Sequence, residues 1–283
     1  MLPHIATRVF NTPLMLHPTK AQVIAHALAD KLNIESVVHA DGSIKLAADF
    51  GAPAKPTRSG VDRVGPLGII QVQGTLVQRS GNLRPYSGMT GYDGIRVNLE
   101  AAVSDPEVKA ILLDIDSPGG EVAGCFALAD AIFDARSVKP VYAVLDESAY
   151  SAAYAIASSA NKVFIPRTGG AGSVGVITMH ADMHRALEHE GVDVTIIRHG
   201  DLKDAGTPTR RLDVDTHQRI QADIDTLGEM FLKLVARNRK MSVDDVRAMQ
   251  AGTFLGQQAV DVGLADQVSD ADRAAAAILD SFA

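Results

Sequence analysis

Ser151 carries the hydroxyl best placed in this sequence to act as a nucleophile. It stands between an apolar run, Val141-Tyr142-Ala143-Val144-Leu145, and an alanine-rich segment from Ala152 to Ala157. The first reads as a strand and the second as a helix. The hydroxyl therefore sits beside free helix N–H groups at the positive end of a helix dipole, which favour an alkoxide or a tetrahedral intermediate. The plainer alternative is a helix cap, because serine is among the preferred N-cap residues.

A second chemical element is Ser117-Pro118-Gly119-Gly120, which follows the apolar run Ile111-Leu112-Leu113-Asp114-Ile115-Asp116. Glycines between a buried strand and a helix let backbone N–H groups approach a ligand closely. They could take a phosphate, a thioester carbonyl or the oxyanion of a peptide under attack, or could serve only to turn the chain. The sequence has no GxGxxG or Walker pattern, which argues against a nucleotide. A serine nucleophile also needs a base, and histidine or a neutral lysine are the usual partners. Of nine histidines, His180, His184, His189 and His199 cluster in sequence, yet none stands in a triad motif and GxSxG is absent. Ser159-Ala160-Asn161-Lys162 fits S-x-x-K without its companion motifs. Lys203, in Gly200-Asp201-Leu202-Lys203, would by itself read as a surface lysine.

The elements that must position these groups alternate. Strands are expected at Pro66–Gly74, Ile111–Asp116 and Val141–Leu145, with Val163–Ile165, Val174–Met179 and Val192–Ile197 continuing the series. Helices are expected near Tyr92–Val103, Glu121–Arg136 and Asp213–Arg237. Strand, glycine turn, helix and strand again imply right-handed crossovers on a parallel sheet. Ser242 with Asp245 starts a further helix, and Gly263 stops one. Ahead of the sheet, Pro18 to Leu32 has helical apolar spacing. The Gly/Pro/Ala-rich stretch from 40 to 65 reads as a linker. The division is thus an N-terminal helical extension (1–39), a linker (40–65) and one α/β domain (66–283).

Composition bounds the function. The 283 residues are 46% hydrophobic and 22% charged, with a formal net charge of -7. No broad positive surface is available for nucleic acid. One cysteine, Cys125, excludes an internal disulfide and a cysteine-rich zinc site. No run of roughly 18 apolar residues could span a bilayer, and no secretory signal is evident. The expectation is a cytoplasmic protein without a membrane anchor.

Asp116-Ser117-Pro118-Gly119-Gly120, Ser151 with its Ala/Tyr-rich helix, Gly172-Ser173-Val174-Gly175-Val176, Gly200-Asp201-Leu202-Lys203 and Ala259–Asp266 occur in the order and spacing of the signal peptide peptidase A family of serine proteases (S49-type), which they resemble. The N-terminal stretches Leu2–Ala6 and Asn11–Leu16, with Pro85–Tyr92, are similar to the capsid-assembly proteases of lambda-like phages within that group. The resemblance implies a ClpP/crotonase-like parallel sheet with βαβ crossovers and a serine endopeptidase with a Ser/Lys dyad. Ser151 is then the nucleophile, Lys203 the base and Ser173 the lysine's hydrogen-bond partner. Gly120 and Ala152 supply the oxyanion N–H groups, and Gly119 shapes the turn. It implies no cofactor or metal, a homo-oligomer, protein substrates among phage scaffold, portal or capsid proteins, and action in the host cytoplasm or inside procapsids. A base near neutral pH needs the lysine lowered by roughly three units from about 10.4, about 4 kcal/mol, which burial must supply. Asp201 and Asp204 must then point away from the amine. A crotonase-like acyl-CoA enzyme and a catalytically silent capsid-assembly protein are the alternatives.

Overall fold

The computed structural model describes residues 12–18, 20 and 60–282. In chain order the first elements are β1 (Leu14–Leu16), β2 (Asp62–Val64), β3 (Leu67–Gln73), β4 (Thr75–Val77), β5 (Met89–Gly91) and helix α1 (Tyr92–Ser104). The middle consists of β6 (Ala110–Ser117), β7 (Gly119–Glu121), α2 (Cys125–Ala135), β8 (Val141–Tyr150) and α3 (Ala152–Ser158). Then come β9 (Lys162–Ile165), β10 (Gly170–Gly172), α4 (His184–His189), α5 (Val214–Arg239) and α6 (Val243–Ala248). The described part ends with β11 (Thr253–Leu255), α7 (Gly256–Asp261), β12 (Gln267–Val268) and α8 (Ala271–Asp280).

Strands β3, β6 and β8 run parallel at the centre of the main sheet, with β9 and β10 both parallel to β8. One face carries Ile70, Val72, Ile111, Leu113, Ile115, Ala143 and Leu145 under α1, α2 and α3. The other carries Leu67, Ala110, Leu112, Val144 and Phe164 under Ala274 and Ile278 of α8. Because both faces are covered, these strands are apolar throughout instead of alternating. A smaller sheet, ordered β1-β7-β4-β5, lies at the carboxyl ends of β3 and β6. Each of those strands passes through one residue, Gly74 or Pro118, directly into it. Ligands of parallel α/β sheets bind at this end of the strands.

The structure corrects four expectations. The linker does not reach residue 65, because Asp62–Val64 forms β2, antiparallel to β3. The Ser117–Gly120 turn opens a strand, β7, and the helix waits until Cys125. Val192–Ile197 forms no strand, pairs with no strand among the described residues, and lies exposed. Val174–Met179 contributes isolated bridges at Ile177 and Met179 in place of a continuous strand. Of the expected N-terminal extension, residues 12–18 and 20 are described and the rest of the 18–32 helix lies outside the described residues. Within it Leu14–Leu16 is a buried strand of the small sheet.

Candidate active site

Strand β8 delivers Ser151 to helix α3 with no intervening loop. The junction is made by a left-handed backbone: Ser151 has φ 55° and ψ -118°. A non-glycine residue there stores strain of order 1–3 kcal/mol, and such strain concentrates at functional sites. Its N–H donates to Gly172 O at 2.8 Å, which pins the turn to β10. The side chain is 1% exposed and makes no capping bond, so the cap alternative fails. Ser151 Oγ has instead a long contact to Gly175 O at 3.4 Å.

Helix α3 can lie so close to the sheet because it is built of small residues. All seven are buried, as expected of a helix apolar on every side. Tyr154 is held by its hydroxyl donating to Leu264 O at 2.8 Å. Asn238 of α5 donates to Ser158 Oγ at 3.1 Å and to Ser159 Oγ at 2.9 Å, which fixes the helix's far end. Cys125 packs against its start, and burial pushes the thiol up to about 12, so it is inert.

The glycine turn is shaped by Ser117, whose hydroxyl donates to Gly74 O at 2.6 Å and accepts from Gly119 N at 3.2 Å. Gly119 has φ +99°, and a methyl there would lie 2.2 Å from Met15 O, 2.9 Å from Tyr150 O and 3.1 Å from Ala152 N. The missing side chain thus leaves a space bordered by the two neighbours of Ser151, Tyr150 and Ala152. A carbonyl oxygen occupies it. At Gly120 a methyl would lie 1.8 Å from Leu76 O, so β4 and β7 could not approach as they do.

Ser151 and the glycine turn are brought together; Lys203 is not brought to them. Lys203 lies in an exposed turn, its backbone N–H donating to Gly200 O at 3.2 Å. Among the described residues its amine has no hydrogen-bond or ion-pair partner. Ser173 is buried beside the site with φ 55°, its N–H donating to Gly252 O at 2.8 Å, but it makes no bond to Lys203. The flanking carboxylates do point elsewhere. Asp204 pairs with Arg198 and, at 3.3 Å, with Arg210, while Asp201 is solvent-exposed, its carboxylate 3.9 Å from Arg198. Beyond the lysine, Ala205 and Gly206 line a cleft of about 620 Å³ with Pro13, Val176, Ile177 and Thr178. The lysine loop therefore borders the groove that leads to β1. Among the histidines, His184 pairs with Asp182 at 2.6 Å at the surface.

Residues 134–281 match the model of Peptidase family S49. This chain belongs to that family. The S49 match takes in Ser151, Ser173, Lys203 and the Ala259–Asp266 motif, and it sets aside the acyl-CoA alternative. The chain is 40% identical to capsid assembly protease C of Escherichia phage lambda, covering 99% of this chain and 66% of that protein. It is 38% identical to head-tail preconnector protein GP5 of Enterobacteria phage P21, over 96% of this chain and 56% of that protein. With protease 4 of Salmonella typhi it shares 28% identity over 86% of this chain and 37% of the relative. The chain thus spans about two thirds or less of these relatives' lengths. Among solved structures a mutant ClpP1 from Listeria monocytogenes aligns with TM-score 0.45 and 14% identity, covering 71% of this chain and 91% of that one.

Sequence reasoning missed the strand at Leu14–Leu16 as part of the site. Its only signal was a three-residue apolar run bounded by Pro13 and Pro18, which marks an extended piece of chain.

Proposed function

We propose that this chain is a serine endopeptidase acting in phage head assembly, with Ser151 as nucleophile and Lys203 as base. The observation that carries the reading is the strained Ser151, set beside Ala152 and the Gly119–Gly120 turn. Ser151 Oγ attacks the carbonyl carbon of a bound peptide. The N–H groups of Gly120 and Ala152 hold the oxyanion, the amine leaves with the serine's proton, and water hydrolyses the acyl-enzyme. These steps balance without a metal or a cofactor.

Lys203 would reach Ser151 in a homo-oligomer. The single chain leaves the lysine in solvent, and the segment ahead of it exposes Val192, Val194, Ile196, Ile197 and Leu202, with Ile197 96% exposed. An apolar patch of this kind is a surface for another subunit. Covering it would dry the lysine, as a lysine base requires. The names borne by the two phage relatives support scaffold, portal or capsid proteins as substrates, met in the host cytoplasm or within a procapsid.

The test is co-expression with the neighbouring head proteins, followed by intact mass measurement of wild type, Ser151→Ala and Lys203→Ala. Both variants should remain folded and leave the head proteins uncut. Mixing the two should restore part of the activity if a neighbour supplies the lysine. Undiminished cleavage by either variant alone would overturn the assignment.

A further inference from the structure

Strand β1 lies in the site as a peptide substrate would. It pairs antiparallel with β7, placing Leu14 opposite Glu121, Met15 opposite Gly120 and Leu16 opposite Gly119. On its other edge Leu14 and Ile177 exchange two hydrogen bonds, at 2.8 and 2.9 Å, and Thr178 Oγ1 donates to Thr12 O at 3.2 Å. The segment is therefore clamped between two walls by backbone bonds, the mode by which proteins hold extended peptides. Its side chains alternate as that mode requires. Met15 is 0% exposed and points into the main core, whereas Leu14 and Leu16 pack with Ile177 and Met179.

The register identifies the bond presented. His17 N–H donates to Pro118 O at 2.8 Å, and Val122 N–H donates to Pro13 O at 3.4 Å. Hydrogen-bonded pairs recur every second residue in an antiparallel ladder, so Met15 and Gly120 are also such a pair. The Gly120 N–H, one of the two oxyanion donors named above, thus faces the Met15 carbonyl. The same oxygen fills the space that Gly119 leaves beside Ala152 N. Past the carbonyl the chain continues along Tyr150, whose ring lies 4.9 Å from that of His17.

We propose that residues 12–17 are an internal substrate and that Ser151 cleaves the chain between Met15 and Leu16. This rests on the reading of Ser151 as nucleophile and adds the occupant of its peptide channel, together with a pocket for an unbranched apolar side chain before the cut. Ser151 Oγ bonds to the Met15 carbonyl carbon, and its proton passes through the lysine base to the Leu16 nitrogen as the peptide C–N bond breaks. Water then releases Met15 as a carboxylate and restores the serine hydroxyl. Until the cut, β1 competes with every other substrate for the channel.

The experiment follows full-length protein by intact mass and N-terminal sequencing. In parallel it measures turnover of a quenched fluorogenic peptide of sequence Thr-Pro-Leu-Met-Leu-His. Wild type should yield a chain beginning at Leu16, and Ser151→Ala should stay whole. Leu16→Pro keeps the β1–β7 ladder, because the Leu16 N–H faces away from β7, and should stay whole as well. Met15→Asp should unseat the strand, abolish the cut and turn over the added peptide at least about threefold faster than Leu16→Pro, whose channel stays filled. A wild type that remains whole while cleaving the added peptide overturns self-cleavage and leaves Ser151 as nucleophile standing. A cut after Met15 in Ser151→Ala, or an uncut chain with no Ser151-dependent peptide cleavage, overturns both.

Discussion

Replacing Ser151 by glycine, compared with alanine, separates strain from chemistry at one position. Both substitutions remove the hydroxyl and should abolish peptide cleavage. They differ in what the backbone tolerates at φ 55°, ψ -118°. Alanine keeps the Cβ and hence the strain, about 1–3 kcal/mol for a non-glycine residue in such a region. Glycine relieves it but loses more chain entropy on folding, about 0.5–1 kcal/mol. Among the described residues the hydroxyl's one hydrogen bond is the 3.4 Å approach to Gly175 O, too long to weigh in the balance. The net expectation is that Ser151→Gly is more stable than Ser151→Ala by about 0.5–2 kcal/mol. Urea denaturation at one fixed protein concentration reads this, since association would otherwise shift the midpoint. A Ser151→Ala protein as stable as Ser151→Gly, with unchanged m-values, would refute the claim that the strand-to-helix junction is strained to aim the nucleophile.

Gly120→Ala places a methyl against Leu76 O, which must force β4 and β7 apart. With the Gly120 N–H proposed as an oxyanion donor, peptide turnover should fall about 100-fold or more through kcat, and a rate within threefold of wild type would count against that role. Asp114 is raised to about 6, first by burial and then by Asp146 and Asp116. A raised carboxylate stabilises the fold below its unfolded value of 3.8 and loses that contribution as pH climbs to about 6. Asp114→Asn should therefore gain on wild type across that window and lead by about 1–2 kcal/mol above it, after allowance for partial solvent screening, as read from melting curves against pH. Asp266 holds Arg239 through two bonds of 2.9 Å and accepts from Val163 N at 2.7 Å. Asp266→Ala leaves that largely buried guanidinium unpaired and should cost about 2–4 kcal/mol, measured by denaturant unfolding.

The central elements were legible because their signals are local. The apolar runs at Leu67–Gln73, Ala110–Ser117 and Val141–Tyr150 have the lengths and flanking glycines of buried parallel strands, and they pair as such. Asp213 and Ser242 cap their helices by accepting from Thr216 N and Asp245 N, as their residue types suggest. Ser151 and the Gly119–Gly120 turn were visible as candidates, although residue type alone could not distinguish a nucleophile from a cap. Its backbone angles and the missing capping bond set the cap aside, and such angles follow from how β8, β10 and α3 are packed.

What the amino-acid sequence determined by itself is the parallel sheet, its crossovers and the chemical groups at the sheet's carboxyl edge. Propensity, apolar periodicity and turn chemistry act over a few neighbouring residues, and those suffice for such elements. Only the tertiary structure decided which segment fills the groove beside Ser151. The pairing of Leu14–Leu16 with Gly119–Glu121 joins residues more than a hundred positions apart, and a three-residue strand carries no periodicity of its own. Its register comes from the walls on either side, and through that register Met15 came to share a space with Gly119 and Ala152.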